Sequence, residues 1–482
     1  MAVNTDDSRR RSSGRQDRAG TGRSRTAAAR RTAASRSRIR NRRPVVVRQS
    51  MFSDSPTVKA RQKAAQRAEE LGRYKSDFDN SRLAAFLRRW SRLKWRDLFR
   101  VSSPKTIIST DRDYYDYNLL AVVILLTCFG LVMLYSTSAY EASLGEGGND
   151  MRFFGRQALI SVIALFLVLV GSQMDYHFIA SLSGWLYIGS VALLIATRFI
   201  GRTINGARRW IYIGPLSFQP AELAKLAVIL FLPWLILWMG KLFNGLFGPL
   251  LVMFFGGVAG FCAYRFTDNL STGLIIIGIS VILVFIAHPK TIPFLIGGGA
   301  AIVAGSALVW VLINMADGSG SFRIRRIQVW RNPEAYASEG GYQVMQALYA
   351  IGSGGFLGKG LGNSAQKLGA LPEAQNDMIF SIICEELGIF GAVLLLLMFV
   401  FMLYRLVFIC QNAPDLLGSL IAAGVFVHIS LQVILNIAVV INLIPTTGIT
   451  LPFVSYGGTS ILFLMAEMAM ALSVSRQIRF KR

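Results

Sequence analysis

The sequence predicts an all-α polytopic membrane protein of about ten transmembrane helices, with both termini in the cytoplasm and a large extracytoplasmic loop between helices seven and eight. Three observations carry this reading. The 482 residues are 53% apolar, yet the formal charge is +24. That charge is segregated: residues 1–116 hold 30 Lys and Arg against 12 Asp and Glu, net +18, which leaves +6 for the other 366 residues. A solvated basic arm is therefore joined to a very apolar body. The body contains about ten uninterrupted apolar stretches, each long enough to cross a hydrocarbon core of roughly 30 Å as a helix.

Residues 1–81 are the arm. Positions 1–60 are rich in Arg, Ser, Ala and Thr without any apolar period, so they are expected not to bury enough surface to offset ordering entropy. Such an arm suits the anionic inner leaflet. It lacks the aromatic interleaving of a nucleic-acid binder, so no nucleic-acid partner is expected. No apolar run precedes a cleavage site, and the first span is expected to do the targeting. Residues 82–116 follow as an interfacial helix and linker. Leu83, Phe86, Leu87, Trp90 and Leu93 recur at helical spacing while Arg88, Arg89, Arg92 and Lys94 fill the other face. Residues 117–482 form the transmembrane domain, with spans predicted near 117–138, 154–173, 178–198, 219–240, 247–264, 271–288, 292–314, 378–404, 416–441 and 451–474. The basic arm and the basic end, Arg476 to Arg482, place both termini in the cytoplasm and require an even number of spans. The 139–153 loop, acidic at Glu141, Glu146 and Asp150, then falls outside. Cys128, Cys262, Cys384 and Cys410 lie in or beside apolar stretches, with neither metal spacing nor a paired framework.

Two of the outside loops run against the charge rule for orientation. The loop between spans three and four carries Arg198, Arg202, Arg208 and Arg209. The loop between spans seven and eight, about 62 residues long, carries Arg323, Arg325, Arg326, Arg331, Lys359 and Lys367. External arginines with no topological use point to a bound anion, phosphate being the natural one; local pairing with Asp and Glu is the alternative.

Polar residues within spans are costly in lipid unless partnered. Glu222 and Lys225 lie three apart near the start of span four and share a helical face. They read either as a structural ion pair or as a lysine oriented by Glu222 toward an anionic substrate. Asp377 falls at the outer mouth of span eight, where the unmatched amides and dipole of a helix end favour an ionised carboxylate; an ordinary N-cap is the alternative. Glu385 and Glu386 lie roughly 12 Å deeper, too far to touch Asp377 and suited to tying helices together. His428, Gln432, Asn436 and Glu467 read as similar interhelical contacts. The run Gly352 to Gly360 looks like a phosphate loop, but a Walker A motif needs Gly where Ser353 stands and Ser or Thr where Gly360 stands. The three scattered histidines, His177, His288 and His428, predict neither a zinc site nor a Ser-His-Asp triad. These residues alone reach a polytopic protein with an anion-binding outer face and one candidate carboxylate. They do not separate an enzyme from a transporter.

A resemblance goes further. The segment Asn205-Gly206-Ala207-Arg208-Arg209-Trp210-Ile211, followed by Phe218-Gln219-Pro220-Ala221-Glu222-Leu223-Ala224-Lys225, resembles a signature of the SEDS proteins, the FtsW/RodA/SpoVE family. So do Gly341-Tyr342-Gln343, the run from Gly360 to Leu368, and Leu371-Pro372-Glu373 through Asp377 to Glu385-Glu386. The stretch from Pro445 to Ser460, with Phe453-Val454-Ser455-Tyr456-Gly457-Gly458 inside it, is the most specific. The motifs follow family order across residues 115–478. There is one departure: where the family often has Asp-Leu-Gly-Thr, this chain reads Asn269-Leu270-Ser271-Thr272, with Asp268 one residue earlier.

The resemblance implies a peptidoglycan glycosyltransferase that polymerises lipid II on the outer face of the bacterial cytoplasmic membrane. The Gly-Asn-Ser-x-Gln-Lys-Leu run looks most like the division members, which implies a septal role; a lipid II flippase is the alternative from another class. It maps the family's essential aspartate onto Asp377 and implies substrate-binding roles for Arg209, Glu222, Lys225, Gln343, Lys367, Glu373 and Ser455. The implied partners are lipid II, undecaprenyl-pyrophosphate-linked glycan, a class B penicillin-binding protein and other division proteins. Asp377 would act as general base on the acceptor 4-hydroxyl, and cations would meet the leaving pyrophosphate. A divalent cation, Mg or Mn, is a further candidate for that charge. A groove between spans would hold the prenyl tails.

Overall fold

The structure, a computed structural model, describes residues 114–144, 151–204, 207–213, 216–245, 247–289, 292–294, 296–300, 303, 305, 307, 322–369 and 371–479. All of them belong to one compact unit, Ser109–Arg482. The basic arm, the amphipathic segment 82–100, the loop residues Glu146 and Asp150, and most of the predicted span 292–314 lie outside the described residues.

The chain begins with α1 (Tyr117–Leu144), α2 (Arg152–Gly171), the short α3 (Tyr176–Ser181) and α4 (Ser183–Ile200). A three-stranded antiparallel sheet follows, β1 (Arg202–Ile204), β2 (Ala207–Ile213) and β3 (Leu216–Phe218), in the order β1-β2-β3. Next come α5 (Pro220–Met239), α6 (Phe247–Thr267) and α7 (Leu270–Ala287). After the undescribed stretch lie α8 (Phe322–Arg331) and α9 (Gly341–Ser353). The last helices are α10 (Ile379–Asn412), α11 (Leu416–Val440) and α12 (Ser460–Arg476). Eight helices among the described residues are long and apolar enough to cross a membrane: α1, α2, α4, α5, α6, α7, α10 and α11.

Local chemistry explains several boundaries. Pro220 opens α5, where its missing N–H costs nothing. Asn269 and Asp415 cap α7 and α11 by accepting the N–H of Thr272 and Gly418 at 3.1 and 2.8 Å. Helices α6 and α7 approach so closely that a Cβ on Gly273 would stand 2.7 Å from the Gly260 carbonyl oxygen, the small-residue packing that lets membrane helices interlock.

Three predicted segments differ in the structure. The third span splits at Leu182, so only Ser183–Ile200 crosses. The tenth span was expected from residue 451, but α12 starts at Ser460 and has 17 residues. Pro452 and the left-handed residues Phe453 and Gly458 (φ 64° and 52°) keep 451–459 out of the helix, although its apolar side chains read as membrane-spanning. The loop after α4, expected only as an arginine-bearing connection, forms the β-sheet.

The helices share two faces. On one, Asp116 before α1 receives Arg405 near the end of α10, with Nη2 to Oδ2 at 2.9 Å. His177 of α3 lies between Asp175 and Asp415, with Nδ1 and Nε2 at 2.7 and 2.5 Å from the two carboxylates. On the other face, α4 leads into the sheet, Ser271 at the start of α7 reaches Thr447 beyond α11, and Arg326 of α8 reaches Thr446.

The His177 clamp predicts a pH effect. Burial disfavours the imidazolium, but hydrogen bonds and charge from Asp175 and Asp415 outweigh it and raise the group to about 9. An unfolded histidine titrates near 6.5, so the stabilisation is full below about 6.5 and is lost as pH rises through 9. The melting temperature in detergent should fall across that window, and His177→Asn should flatten the fall. An unchanged slope in the variant would remove the clamp from the account.

Candidate active site

Asp377 sits in a non-helical segment, 371–378, that leads into α10. Glu373 takes a left-handed turn (φ 57°), and its carbonyl accepts from Asn376 and Met378 at 3.0 and 3.4 Å. The carbonyl of Gln375 accepts from the Tyr456 N–H at 2.9 Å. These bonds set the register of α10 so that Met378, not Asp377, occupies the N-cap position, where no side chain caps the helix. Asp377 is therefore not ionised by a free helix end, as the sequence suggested. It is turned inward, 9% exposed, and its Oδ1 is buried without a hydrogen-bond partner. Burial and then the charge of Glu373 raise its pKa. A bond to its own backbone and the charges of Arg326 and Arg209 oppose them, and the balance is about 7.

The sheet delivers Arg209. Strand residues alternate in direction, so Arg208 and Arg209 point to opposite sides of β2. Arg208 turns outward and donates to the Arg198 carbonyl and Thr203 Oγ1 at 2.9 and 3.2 Å. Arg209 turns inward and donates from Nη2 to the Asp268 carbonyl at 3.3 Å, while its Nε is buried without a partner. Burial lowers the pKa of Arg209, and the charges of Asp268 and Asp377 support the cation. A guanidinium so far above neutrality stays charged. Asp268 itself, with φ 51°, faces Arg198 at 3.8 Å, so the displaced carboxylate noted in the sequence stands beside the arginines.

A strap closes the site. Between α11 and α12 the chain is non-helical, and its carbonyls at Thr446, Thr447, Ile449 and Thr450 are each held by a different side chain. Arg326 donates to Thr446 at 3.2 Å and Ser271 to Thr447 at 2.8 Å. Asn436 donates to Ile449 at 2.7 Å and Gln432 to Thr450 at 3.0 Å. The residue between these anchors is Gly448, with φ 68°. A Cβ there would lie 3.8 Å from Asp377 Oδ2 and 3.9 Å from Arg209 Nη1. The missing side chain thus keeps space open beside carboxylate and guanidinium, and on the same three residues that meet there Asp377 Oδ1, Arg209 Nε and Thr447 Oγ1 are buried without partners. Buried polar atoms of this kind are normally bonded, so the gap is chemically suited to a hydroxyl or an anionic oxygen.

Other predicted site residues are committed elsewhere. Lys225 is 2% exposed and pairs with Glu222 at 2.9 Å and Gln432 Oε1 at 3.3 Å. Lys367 is buried against Glu386 and Ser136 Oγ at 2.7 and 2.9 Å. Ser455 accepts the Leu451 N–H at 2.8 Å and stabilises the strap's own turn. Gln343 of α9 donates to the Pro372 carbonyl at 3.4 Å, supporting the segment that carries Asp377. Of the predicted set, the structure brings Asp377, Arg209 and Glu373 together. Arg326 joins them, though in the sequence it was one basic loop residue among six. Ser271, Asn436 and Gly448 were missed as site residues. The signals available were that Gly448 lies in the family stretch 445–460, that Ser271 lies in the motif that departs from the family, and that Gln432 and Asn436 lie one turn apart on α11.

The glycine-rich run rejected as a phosphate loop has a different task. Helix α10 breaks at Gly388 (φ 68°), and the loop 355–360 fills the break. Lys359 and Gly360 N–H groups bond the Glu385 and Glu386 carbonyls at 2.9 Å each, and Gly355 and Phe356 carbonyls accept from Ile389 and Phe390 at 3.0 and 3.1 Å. The anion this loop holds is the Glu385 carboxylate, which receives Lys359 Nζ at 2.6 Å, the Ala365 N–H at 3.2 Å and the Ser364 hydroxyl. Lys359 and Lys367 are therefore spent on Glu385 and Glu386. The groove between membrane helices, about 270 Å³, lies between α1 and α10 along Asn118, Leu125, Leu394 and Phe401. It lies toward the face that carries Asp116 and Arg405, away from Asp377.

Comparison with known proteins identifies relatives of this arrangement. The FtsW/RodA/SpoVE family, described as cell cycle proteins, matches residues 116–480. Stage V sporulation protein E of Bacillus subtilis is 37% identical over 77% of this chain and 100% of its own length. The probable peptidoglycan glycosyltransferase FtsW of the same organism is 34% identical over 76% of this chain and 92% of its own. Among solved structures, a chain of a peptidoglycan synthase complex that coordinates polymerization and crosslinking is 26% identical, with a TM-score of 0.61 over 75% of this chain and 98% of that one. The rod shape determining protein RodA of Thermus thermophilus is 25% identical, with a TM-score of 0.53 over 76% and 98%.

Two outcomes test the site. Gly448→Ala places a side chain in a left-handed backbone, a strain of about 1–2 kcal/mol, and fills the gap beside Asp377. Activity should fall roughly tenfold or more while the protein remains folded by size-exclusion chromatography. For the buried pair, Lys367→Met alone should destabilise by about 3–5 kcal/mol, and Lys367→Met with Glu386→Leu should recover most of it. A double variant as unstable as the single one would argue against a structural pair.

Proposed function

This chain belongs to the FtsW/RodA/SpoVE family, and from that premise we propose that it is a peptidoglycan glycosyltransferase that polymerises lipid II on the outer face of the cytoplasmic membrane during septal wall synthesis. One observation carries the chemistry: a buried carboxylate, Asp377, poised at about 7 beside Arg209 and Arg326. A general base is most effective when its pKa lies near the working pH, because it is then both available and strong enough to take a proton. The acceptor 4-hydroxyl of GlcNAc gives its proton to Asp377 as its oxygen bonds to the anomeric carbon. The bond from that carbon to the diphosphate oxygen breaks, and undecaprenyl diphosphate leaves with the electron pair. The leaving group is already anionic, so it needs cations more than an acid, and Arg209 and Arg326 stand where that charge develops.

A divalent cation would be held chiefly by the substrate's own phosphate oxygens, with water completing its shell, and would neutralise diphosphate charge; Asp377 is kept for the proton. Among the described residues no cluster of three His, Cys, Asp or Glu is gathered for a metal.

One feature favours a flippase, the break in α10, since transporters place discontinuous helices at their substrate sites. Here the loop 355–360 fills the break and makes four backbone hydrogen bonds across it, which occupies groups that a passing headgroup would need. A class B penicillin-binding protein is the natural partner, as crosslinking follows polymerisation, and lipid II with its growing glycan is the substrate.

The test is polymer formation in detergent, where no second compartment exists for a flippase to serve. The purified chain with its cognate transpeptidase should extend glycan, and Asp377→Asn should lose about 10²–10⁴ in rate. The rate should rise with pH through an acid limb near 7, because only the deprotonated carboxylate accepts the hydroxyl proton. Wild-type rates from Asp377→Asn would overturn the assignment.

A further inference from the structure

The two irregular segments that enclose Asp377 are joined by one side chain. Asn436 is fully buried, and its amide donates one N–H to the Asp377 carbonyl at 2.8 Å and the other to the Ile449 carbonyl at 2.7 Å. Both donors of the side chain are thus used, one on the carboxylate-bearing segment and one on the strap. One turn earlier on α11, Gln432 holds the next strap carbonyl, Thr450, and is itself held by Lys225, which pairs with Glu222. Asn436 therefore has no donor left for the gap. We infer that Asn436, backed by the Gln432–Lys225–Glu222 relay, is a positioning residue for the transfer reaction: it clamps the strap onto Asp377 and so keeps water from the carboxylate.

This deepens the reading of Asp377 as general base and rests on it. The groups that face Asp377 are Glu373 on its own segment, Arg326 from α8 and Arg209 from β2. Asp268 acts at one remove, through Arg209. None of these is touched by a change at Asn436. What such a change alters is the seal: Gly448, next to the clamped Ile449, lines the gap at Asp377 Oδ2. Burial is the largest cause of the raised Asp377 pKa, so a loosened strap that admits water should lower it. A carboxyl in place of the amide removes the same two donors but adds a charge that opposes this fall.

The experiment uses the full chain with its cognate transpeptidase in detergent and purified lipid II, with initial rates measured against pH and substrate concentration. Asn436→Ala should cut kcat roughly tenfold or more with KM within about twofold, and move the acid limb down by about one pH unit or more. Asn436→Asp keeps the shape but removes both N–H donors, so it should lower kcat as Asn436→Ala does, while its added carboxyl holds the limb closer to the wild-type value. Gln432→Ala should move it in the same direction as Asn436→Ala but less, and the double alanine variant should be less than additive. A fall in kcat coupled to a displaced limb at near-constant KM is the signature that a merely structural residue would not give. If Asn436→Ala does not fold, the Asn436→Asp kcat and the Gln432→Ala limb decide. Limbs unmoved in the folded alanine variants, or a large rise in KM at unchanged kcat, would overturn the inference. Full activity in Asp377→Asn would instead sink the general-base reading beneath it.

Discussion

Backbone that leaves the helical path inside a membrane protein must find every hydrogen bond within the protein, because lipid offers none. The site of this chain is built almost wholly from such backbone: the segment 371–378, the strap 445–459 and the break at Gly388. Each unsatisfied group would cost several kcal/mol, more than a typical side-chain contact returns. The polar residues on the flanking helices follow from this. Ser271, Gln432 and Asn436 each hold a strap carbonyl, and the Glu385 carboxylate is bound by the loop that enters the helix break.

The same enclosure sets the electrostatics. A carboxylate at a helix mouth in water would titrate as an ordinary acid, and the helix end would lower it further. Sealed under the strap, Asp377 is governed by desolvation, with Glu373 adding to it and two guanidiniums only partly opposing. Burial disfavours the charge of Arg209, but a guanidinium starts so far above neutrality that it stays charged. A dry pocket thus holds a carboxylate ready to take a proton next to cations ready to receive an anion. Water excluded from such a pocket also strengthens each of these interactions.

Charge in this protein divides into two kinds. Lys225, Lys359 and Lys367 are each paired with a glutamate, at 2.9, 2.6 and 2.7 Å, and act as braces. Arg209 and Arg326 each donate to a backbone carbonyl at the site, and the charge of both acts on Asp377. Lysine gives a point charge that a single carboxylate can satisfy. The planar fork of arginine can brace a carbonyl and still present charge to a substrate. This is why the long loop, so basic in sequence, contributes few cations to the site.

The sequence by itself determined that the chain is a bundle of apolar helices and that Asp377 stands at the start of α10. Hydrophobic length and the order of polar motifs are local properties. They are written in consecutive residues, and the family signature includes Arg209 and Gly448. Composition could not show that 451–459 is a strap and not the start of a helix, because Leu451, Phe453 and Val454 are as apolar as a span and are buried in protein instead of lipid. Nor could it assign Lys367 to Glu386 or aim Arg209 and Arg208 to opposite sides. Those outcomes depend on which distant carbonyl or carboxylate lies within 3 Å or so. Only the packed tertiary structure fixes that, because pairing energies between buried charges depend on contacts that no stretch of sequence contains.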